Sequence, residues 1–308
     1  VTERDFIQHN LAALATSAAA RSLTDDAAVW APPLGRELVF THDVLACGVH
    51  YLPGDPPSDI AWKLLAVNLS DLAAMGARAD GVLLGLGLSA AEGDDWRAEF
   101  TAGLGRALAH FGVALWGGDT VTGLAQAVLG LTAIGNVAPG KALGRSGAVV
   151  GDAVWVSGRI GDGGLGLAIA RGEAAFDKAL LNRFRRPTPR LALGQALVGV
   201  ATACMDVSDG LLIDADRLGR ASGVELAIDI EAFPVSRGAT LDDRLAAATA
   251  GDDYELLFTA APGAPVPVLA AAAKTPVARI GTVVAGNGVR ALAGGADITP
   301  RRLGWEHG

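Results

Sequence analysis

The sequence predicts an α/β protein built as two domains. Three observations carry this. The chain has 308 residues, whereas most domains hold about 50–250. Strand-like and helix-like apolar patterns alternate through the first half. A stretch rich in Gly, Pro and Lys/Arg, Asn136–Gly151, then interrupts the pattern before a second strand-led half begins at Ala153. The expected domains are 1–138 and 139–308.

Each element follows from its residues. Glu37–Thr41 reads as a short apolar strand leading into His42-Asp43. Ser58–Met75 reads as a helix: Ser58 suits the N-cap, Ile60, Leu64, Val67, Leu72 and Met75 recur at helical spacing, and Gly76 ends it. Gly81–Leu88 is a buried strand, Asp94–Phe111 an amphipathic helix, Val113–Trp116 a strand ending at Gly117-Gly118, and Gln126–Gly135 a further strand. In the second half Ala153–Ser157, Glu225–Ile230, Tyr254–Thr259 and Val277–Val284 read as strands. Gly210–Ser222 reads as a helix, and Pro262–Pro267 as a loop before a short Ala-rich helix. No short-period repeat is present.

Composition excludes several classes. A formal charge of −8 argues against a nucleic-acid groove, which needs a basic face. An anionic nucleotide must then be held through metals and local dipoles. The two cysteines, Cys47 and Cys204, form no CxxC pair and sit in apolar runs, so they read as small core residues. The polar opening Val1-Thr2-Glu3-Arg4-Asp5 has no apolar run behind it. Stretches such as Val82–Leu88 fall short of the roughly 20 apolar residues needed to span a bilayer. A cytoplasmic protein with no membrane partner is expected.

Five aspartate motifs carry the chemistry: Thr24-Asp25-Asp26, Thr41-His42-Asp43, Asn68-Leu69-Ser70-Asp71, Gly117-Gly118-Asp119-Thr120 and Asp206-Val207-Ser208-Asp209-Gly210. Taken singly, each also fits a cap or a turn. Taken together they suggest a carboxylate cage. Two carboxylates about 4 Å apart repel by roughly 4 kcal/mol at an effective dielectric near 20, and bound divalent cations remove that cost. Magnesium takes oxygen ligands, a few carboxylates plus substrate phosphates, so the motifs point to phosphate chemistry. Two other motifs are decoys. Gly161-Asp162-Gly163-Gly164-Leu165-Gly166 matches GxGxxG, but the basic helical segment Asp177–Phe184 stands where a second strand with a terminal acid is needed. Gly135–Lys141 nearly completes a phosphate-binding loop, but Ala142 lacks the required hydroxyl.

The motifs, with Arg145-Ser146-Gly147-Ala148 and Gly251-Asp252-Asp253-Tyr254-Glu255-Leu256, occur in an order that resembles the thiamine-monophosphate kinase family. That family lies within the aminoimidazole-ribonucleotide-synthetase-like superfamily, and the resemblance spans nearly the whole chain. It implies two α/β domains, each a mixed sheet with helices on one face, and a homodimer joined through the N-terminal sheets. It implies transfer of the γ-phosphoryl group of ATP, with several Mg2+ ions, onto thiamine monophosphate. By motif, the metal ligands would be Asp26, Thr41, His42, Asp43, Asp71, Asp119, Asp206 and Asp209, with Asp43, Asp71, Asp119 and Asp209 central to catalysis. Gly118, Asp119, Arg145 and Ser208 would lie at ATP, and His50, Asp252 and Trp305 at thiamine monophosphate.

Each of these residues also has a plainer reading. Arg145 fits a surface ion pair, His50 a strand end, Asp252 a turn and Trp305 a core anchor. Asp55, Asp59, Asp94, Asp95, Asp242 and Asp243 read as solvated. Three positions depart from the family pattern: Thr24 replaces a glycine, His42 a threonine-like residue, and Asp252 a glutamate. Two other functions are weighed: an ATP-dependent synthetase of the same superfamily with a different acceptor, and a non-catalytic nucleotide- or metal-binding regulator.

Overall fold

A computed structural model describes residues 6–237 and 240–306. The polar opening Val1–Asp5 lies outside the described residues. By packing, the chain divides into two units, Val1–Leu72 with Arg78–Pro139, and Ala73–Ala77 with Gly140–Gly308. Among the described residues no helix is long and apolar enough to cross a membrane.

The first unit is a four-stranded mixed sheet. Its strands are β1 (Glu37–Ala46), β2 (Arg78–Ser89), β3 (Ala114–Leu124) and β4 (Val128–Val137), in the order β1-β4-β2-β3. β4 runs antiparallel to both β1 and β2, and β3 lies parallel to β2. Helix α1 (Pro57–Ala74) is buried on nearly every side, with the polar Ser58, Asp59, Lys63, Asn68 and Ser70 buried beside Ile60, Leu64, Leu65, Leu69 and Leu72. Helix α2 (Asp94–Phe111) crosses it where Gly103 leaves room for the Ser58 backbone; a Cβ on Gly103 would stand 2.4 Å from Ser58 Cα.

The second unit is a seven-stranded mixed sheet. In chain order its elements are β5 (Ala153–Ser157), α3 (Asp162–Ala170), α4 (Lys178–Arg185), α5 (Leu191–Leu197), β6 (Ala201–Val207), α6 (Leu211–Ser222) and β7 (Glu225–Asp229). There follow α7 (Leu241–Thr249), β8 (Glu255–Ala260), α8 (Val266–Ala272), β9 (Val277–Val284), β10 (Gly288–Ala293) and β11 (Ala296–Asp297). The strand order is β11-β10-β7-β9-β5-β8-β6, and among the described residues only the β10–β7 pair is parallel. Here helices are not confined to one face. Ala203, Met205, Val207 and Leu257 pack with Leu211, Leu212, Ala215 and Leu218 of α6. Cys204, Leu256, Phe258 and Ala260 pack instead with Leu193 and Leu197 of α5 and Val266 and Ala270 of α8. Strands apolar at successive positions must bury both faces.

The structure corrects several expectations. β1 and β3 do not stop at their motifs but carry His42-Asp43 and Gly117–Thr120 within them: the open face takes His42 and Asp119, while on the covered side the Asp43 amide bonds Asn68 of α1. Ser58 lies inside α1 and donates to Glu99 Oε1 at 3.1 Å. Asp55 and Asp59 are buried, and Asp55 accepts from the Leu52 amide at 2.8 Å. Cys204 is buried but Cys47 only half-buried. The GxGxxG segment is a turn into α3, with Gly161 at φ +87°.

Candidate active site

Strand alternation decides which residues of the first unit can act together. In β1, Thr41, Asp43 and Leu45 face α1, while Leu38, Phe40, His42 and Val44 face the open side. Two side-chain bonds fix the covered side. Thr41 Oγ1 donates to Asp71 Oδ2 of α1, and the Asp43 amide donates to Asn68 Oδ1 at 2.9 Å. Asn68 is itself held by donating Nδ2 to Leu64 O at 2.9 Å, one turn back on the same helix. Asn68 and Asp71 are three residues apart, hence on one face of α1. The fold thus brings Thr41, Asp43 and Asp71 together.

His42 and Asp119 lie elsewhere. The His42 imidazole sits on the open face, its Nδ1 2.9 Å from Thr132 Oγ1. That leaves only its backbone carbonyl for any ion on the Asp43 side. Asp119 is exposed on edge strand β3, in a row with Gly85, Gly130 and Val44, again the open face. Gly118 sits against β2 so closely that a Cβ there would fall 1.9 Å from Leu84 O. Asp26 is exposed beside Asp25, which pairs with Arg21 at 2.6 Å. His50 follows β1 in a turn. Its Nδ1 accepts from the Ala46 amide at 3.0 Å, so Nε2 carries the ring proton. The His50 carbonyl accepts from Lys63 Nζ at 2.9 Å, a lysine only 2% exposed that sequence reasoning did not single out.

In the second unit the end of β6 gathers three segments. The Asp252 amide donates to Ser208 O at 2.8 Å, the Tyr254 amide to Val207 O at 2.8 Å, and the Trp305 amide to Asp209 O at 2.9 Å. Asp206, Ser208, Asp209, Asp252 and Trp305 therefore share one end of the sheet. Gly210 there adopts φ +130°, ψ 146°, a conformation essentially restricted to glycine. Tyr254 donates its hydroxyl to Asp252 Oδ1 at 3.1 Å. Trp305 is 50% exposed, with the Arg302 guanidinium 5.9 Å from its ring centre.

Asp214, missed in the sequence, organises this end. Fully buried, its Oδ2 accepts from the amides of Ser208 (3.0 Å) and Asp209 (3.1 Å), and Arg217 bridges Asp214 and Asp209. Burial pushes its carboxyl up to about 6, against the pull of the Asp209 amide and Arg217. Arg145 is anchored elsewhere: its carbonyl accepts from Ser222 Oγ at 3.0 Å, at the far end of α6 from Ser208. The neighbouring Gly144 carbonyl accepts from the Cys204 amide at 2.8 Å, four residues before Ser208 on β6, so the Arg145 backbone runs alongside that strand.

Among the described residues no three His, Cys, Asp or Glu side chains are grouped to hold one metal ion. The donors at Thr41, Asp43 and Asp71 are all oxygens. That set suits a hard cation held by few protein ligands and completed by substrate phosphates.

Comparison with known proteins decides the family. The sequence models for the N-terminal and C-terminal domains of AIR synthase related protein match residues 24–137 and 149–293. A thiamine-monophosphate kinase from Caulobacter vibrioides is 42% identical over 94% of this chain and 86% of its own. The chain belongs to the thiamine-monophosphate kinase family. Among solved structures, the family member from Stenotrophomonas maltophilia K279a superposes with a TM-score of 0.80 at 40% identity, covering 89% of this chain and 90% of the other. AaThiL complexed with AMPPCP and TMP gives a TM-score of 0.78 at 30% identity, covering 89% of each chain.

Proposed function

We infer that this protein is an ATP-dependent phosphotransferase that converts thiamine monophosphate to thiamine diphosphate. The observation that carries the inference is its likeness, over most of both chains, to kinases of that name, including one complexed with AMPPCP, an ATP analogue, and TMP. The acceptor phosphate is already anionic, so no protein base is required. The difficulty is to bring two polyanions together, and positioning with charge neutralisation meets it. That agrees with a site rich in aspartate and poor in histidine.

Magnesium, when bound, would neutralise charge on the transferring phosphoryl group. Asp43 and Asp71, with Thr41 steering the Asp71 carboxylate, would hold one ion; Asp26, Asp119, Asp206 and Asp209 are the candidates for others. His50, Asp252 and Trp305 would receive thiamine monophosphate. The half-exposed Trp305 ring suits stacking on a cationic thiazolium. Gly118, Arg145 and Ser208 would serve ATP. A cytoplasmic location fits such a biosynthetic role.

We also propose a homodimer joined through the first unit's sheet. Its open face presents Phe40, Val121, Val128 and Val44 at 63%, 51%, 42% and 41% exposure. Contiguous apolar surface of this kind marks an association site. His42 and Asp119 lie on that face and would be covered with it.

The direct test is turnover with ATP, magnesium and thiamine monophosphate, with free thiamine as the control acceptor. Chromatography should show thiamine diphosphate formed from the monophosphate alone. Absence of product, or equal reaction of free thiamine, would overturn the assignment.

A further inference from the structure

The second unit contains a cleft of about 550 Å³ remote in sequence from the aspartate motifs. It is lined by Arg159, Arg183, Arg190 and Arg237 against Asp162, Asp177 and Glu255. Four guanidiniums facing three carboxylates leave a surplus positive charge, in a chain whose formal charge is −8.

The arginines are set by the fold. Glu255 is fully buried at the start of β8 and accepts from Arg183 Nη2 (2.7 Å), Arg190 Nε (2.6 Å) and Ser157 Oγ (2.5 Å). Arg190 adds a second bond through Nη2. One carboxylate therefore orients two guanidiniums, using one edge of the Arg190 fork and one nitrogen of Arg183. Each guanidinium carries five N–H donors, so others remain. Arg159 reaches the cleft from the β5–α3 loop, and among the described residues its bond is to Ser236 Oγ, at 3.1 Å, with no carboxylate. Arg237 is paired with Asp177 at 2.7 Å. Asp162, only 5% exposed, borders the same cleft, and its Oδ1 has no hydrogen-bond partner among the described residues. A buried acceptor left unpaired is costly.

We propose that this cleft binds a hydrogen-phosphate group, either inorganic phosphate or the phosphoryl end of a small metabolite. Arginine forks from three separate elements suit a tetrahedral oxyanion better than a planar carboxylate. A turn of the Asp162 side chain toward the cleft lets the group's own P–OH supply the donor that Oδ1 lacks. Sulfate has the same shape and charge without that proton, and acetate lacks the third oxygen.

Calorimetric titration of the full chain in EDTA, without magnesium, tests this with sodium phosphate, sulfate and acetate as probes. Phosphate should saturate one site with a dissociation constant on the order of 1 mM, more tightly than sulfate or acetate. Arg159→Gln should weaken it about tenfold; this exposed residue lies outside the proposed catalytic set, so folding and turnover at low phosphate should not change. Asp119→Asn should bind phosphate as the parent does. No saturable phosphate binding, equal binding of sulfate, an unchanged constant in Arg159→Gln, or loss in Asp119→Asn would each overturn the proposal. None of these results bears on the turnover assay above.

Discussion

Asp253 gives the fold a pH response whose sign and size can be worked out. Its carboxylate is 1% exposed and accepts from the Gly161 amide at 2.7 Å and the Gly163 amide at 3.0 Å. Burial dominates and pushes its carboxyl up to about 8. The two amide bonds and Arg183 oppose the rise, and Glu255 adds to it. In the unfolded chain an aspartate ionises near about 4. Between about pH 4 and pH 8, then, the unfolded chain has released a proton that the folded chain retains, and stability falls as pH rises through that window. Above it both states are ionised and the slope ends. Each unit is worth about 1.4 kcal/mol, so going from about pH 5 to about pH 8 removes about 4 kcal/mol through this group. Asp253→Asn abolishes the titration while keeping the shape. Its amide turns a donor toward one glycine N–H, at a pH-independent cost of about 1–3 kcal/mol. Urea unfolding followed by circular dichroism at the two pH values should show the parent losing about 4 kcal/mol more than the variant. Asp214 titrates in the same direction in both proteins and cancels in the comparison. Equal losses in parent and variant would refute the reasoning.

Three further outcomes are expected. Asp119→Asn should lower kcat by about 10²–10³-fold with an unchanged circular dichroism spectrum; near-normal turnover would remove Asp119 from the site. Trp305→Ala should raise KM for thiamine monophosphate about tenfold while leaving that for ATP nearly unchanged, whereas equal effects on both would make Trp305 a folding residue. Gly118→Ala should destabilise the fold by about 1–3 kcal/mol, read as a lower thermal midpoint, because its Cβ meets the Leu84 carbonyl.

Much of this was legible in the sequence where local signals agree. Asp94–Phe111 opens on two acids and closes on Gly112 at φ +66°, and the helix has the expected bounds. Val277–Val284 and Ala153–Ser157 likewise stand as read. The strand Ala201–Val207 and the last two strands were not legible, because their small residues give no alternation and their pairing is set by strands far away in the chain. At the candidate site, local segments announced the aspartates but not their supports. Asn68 sat within a recognised motif, yet its bond to the Asp43 amide depends on a helix packing across a strand. Asp214 left a fainter trace, an acid among Leu211, Leu212, Ile213 and Ala215 on an otherwise apolar helix face. Asp253 explains the GxGxxG decoy: the Gly161 and Gly163 amides, which could otherwise cradle a phosphate, already donate to an internal carboxyl group.

The register of the first sheet also limits how the aspartates can cooperate. Thr41, His42 and Asp43 are contiguous, but a strand turns successive side chains to opposite faces, so Thr41 and Asp43 act with Asp71 while His42 cannot join them through its ring. Asp43 lies on β1 and Asp119 on β3, the two edges of the order β1-β4-β2-β3. Three strand spacings amount to about 14 Å, and the two residues occupy opposite faces. A magnesium ion reaches its ligands at about 2.1 Å, so within one copy of the sheet no single ion touches both carboxylates. Joint ligation of one ion by Asp43 and Asp119 would require a second copy of the chain to supply one of them. Asp119 lies on the open face, the face proposed for docking, and Asp43 on the helix-covered face, so docking there would leave the two carboxylates on different ions; Phe40→Glu should weaken dimerisation and, if Asp119 acts from that seam, lower turnover with it.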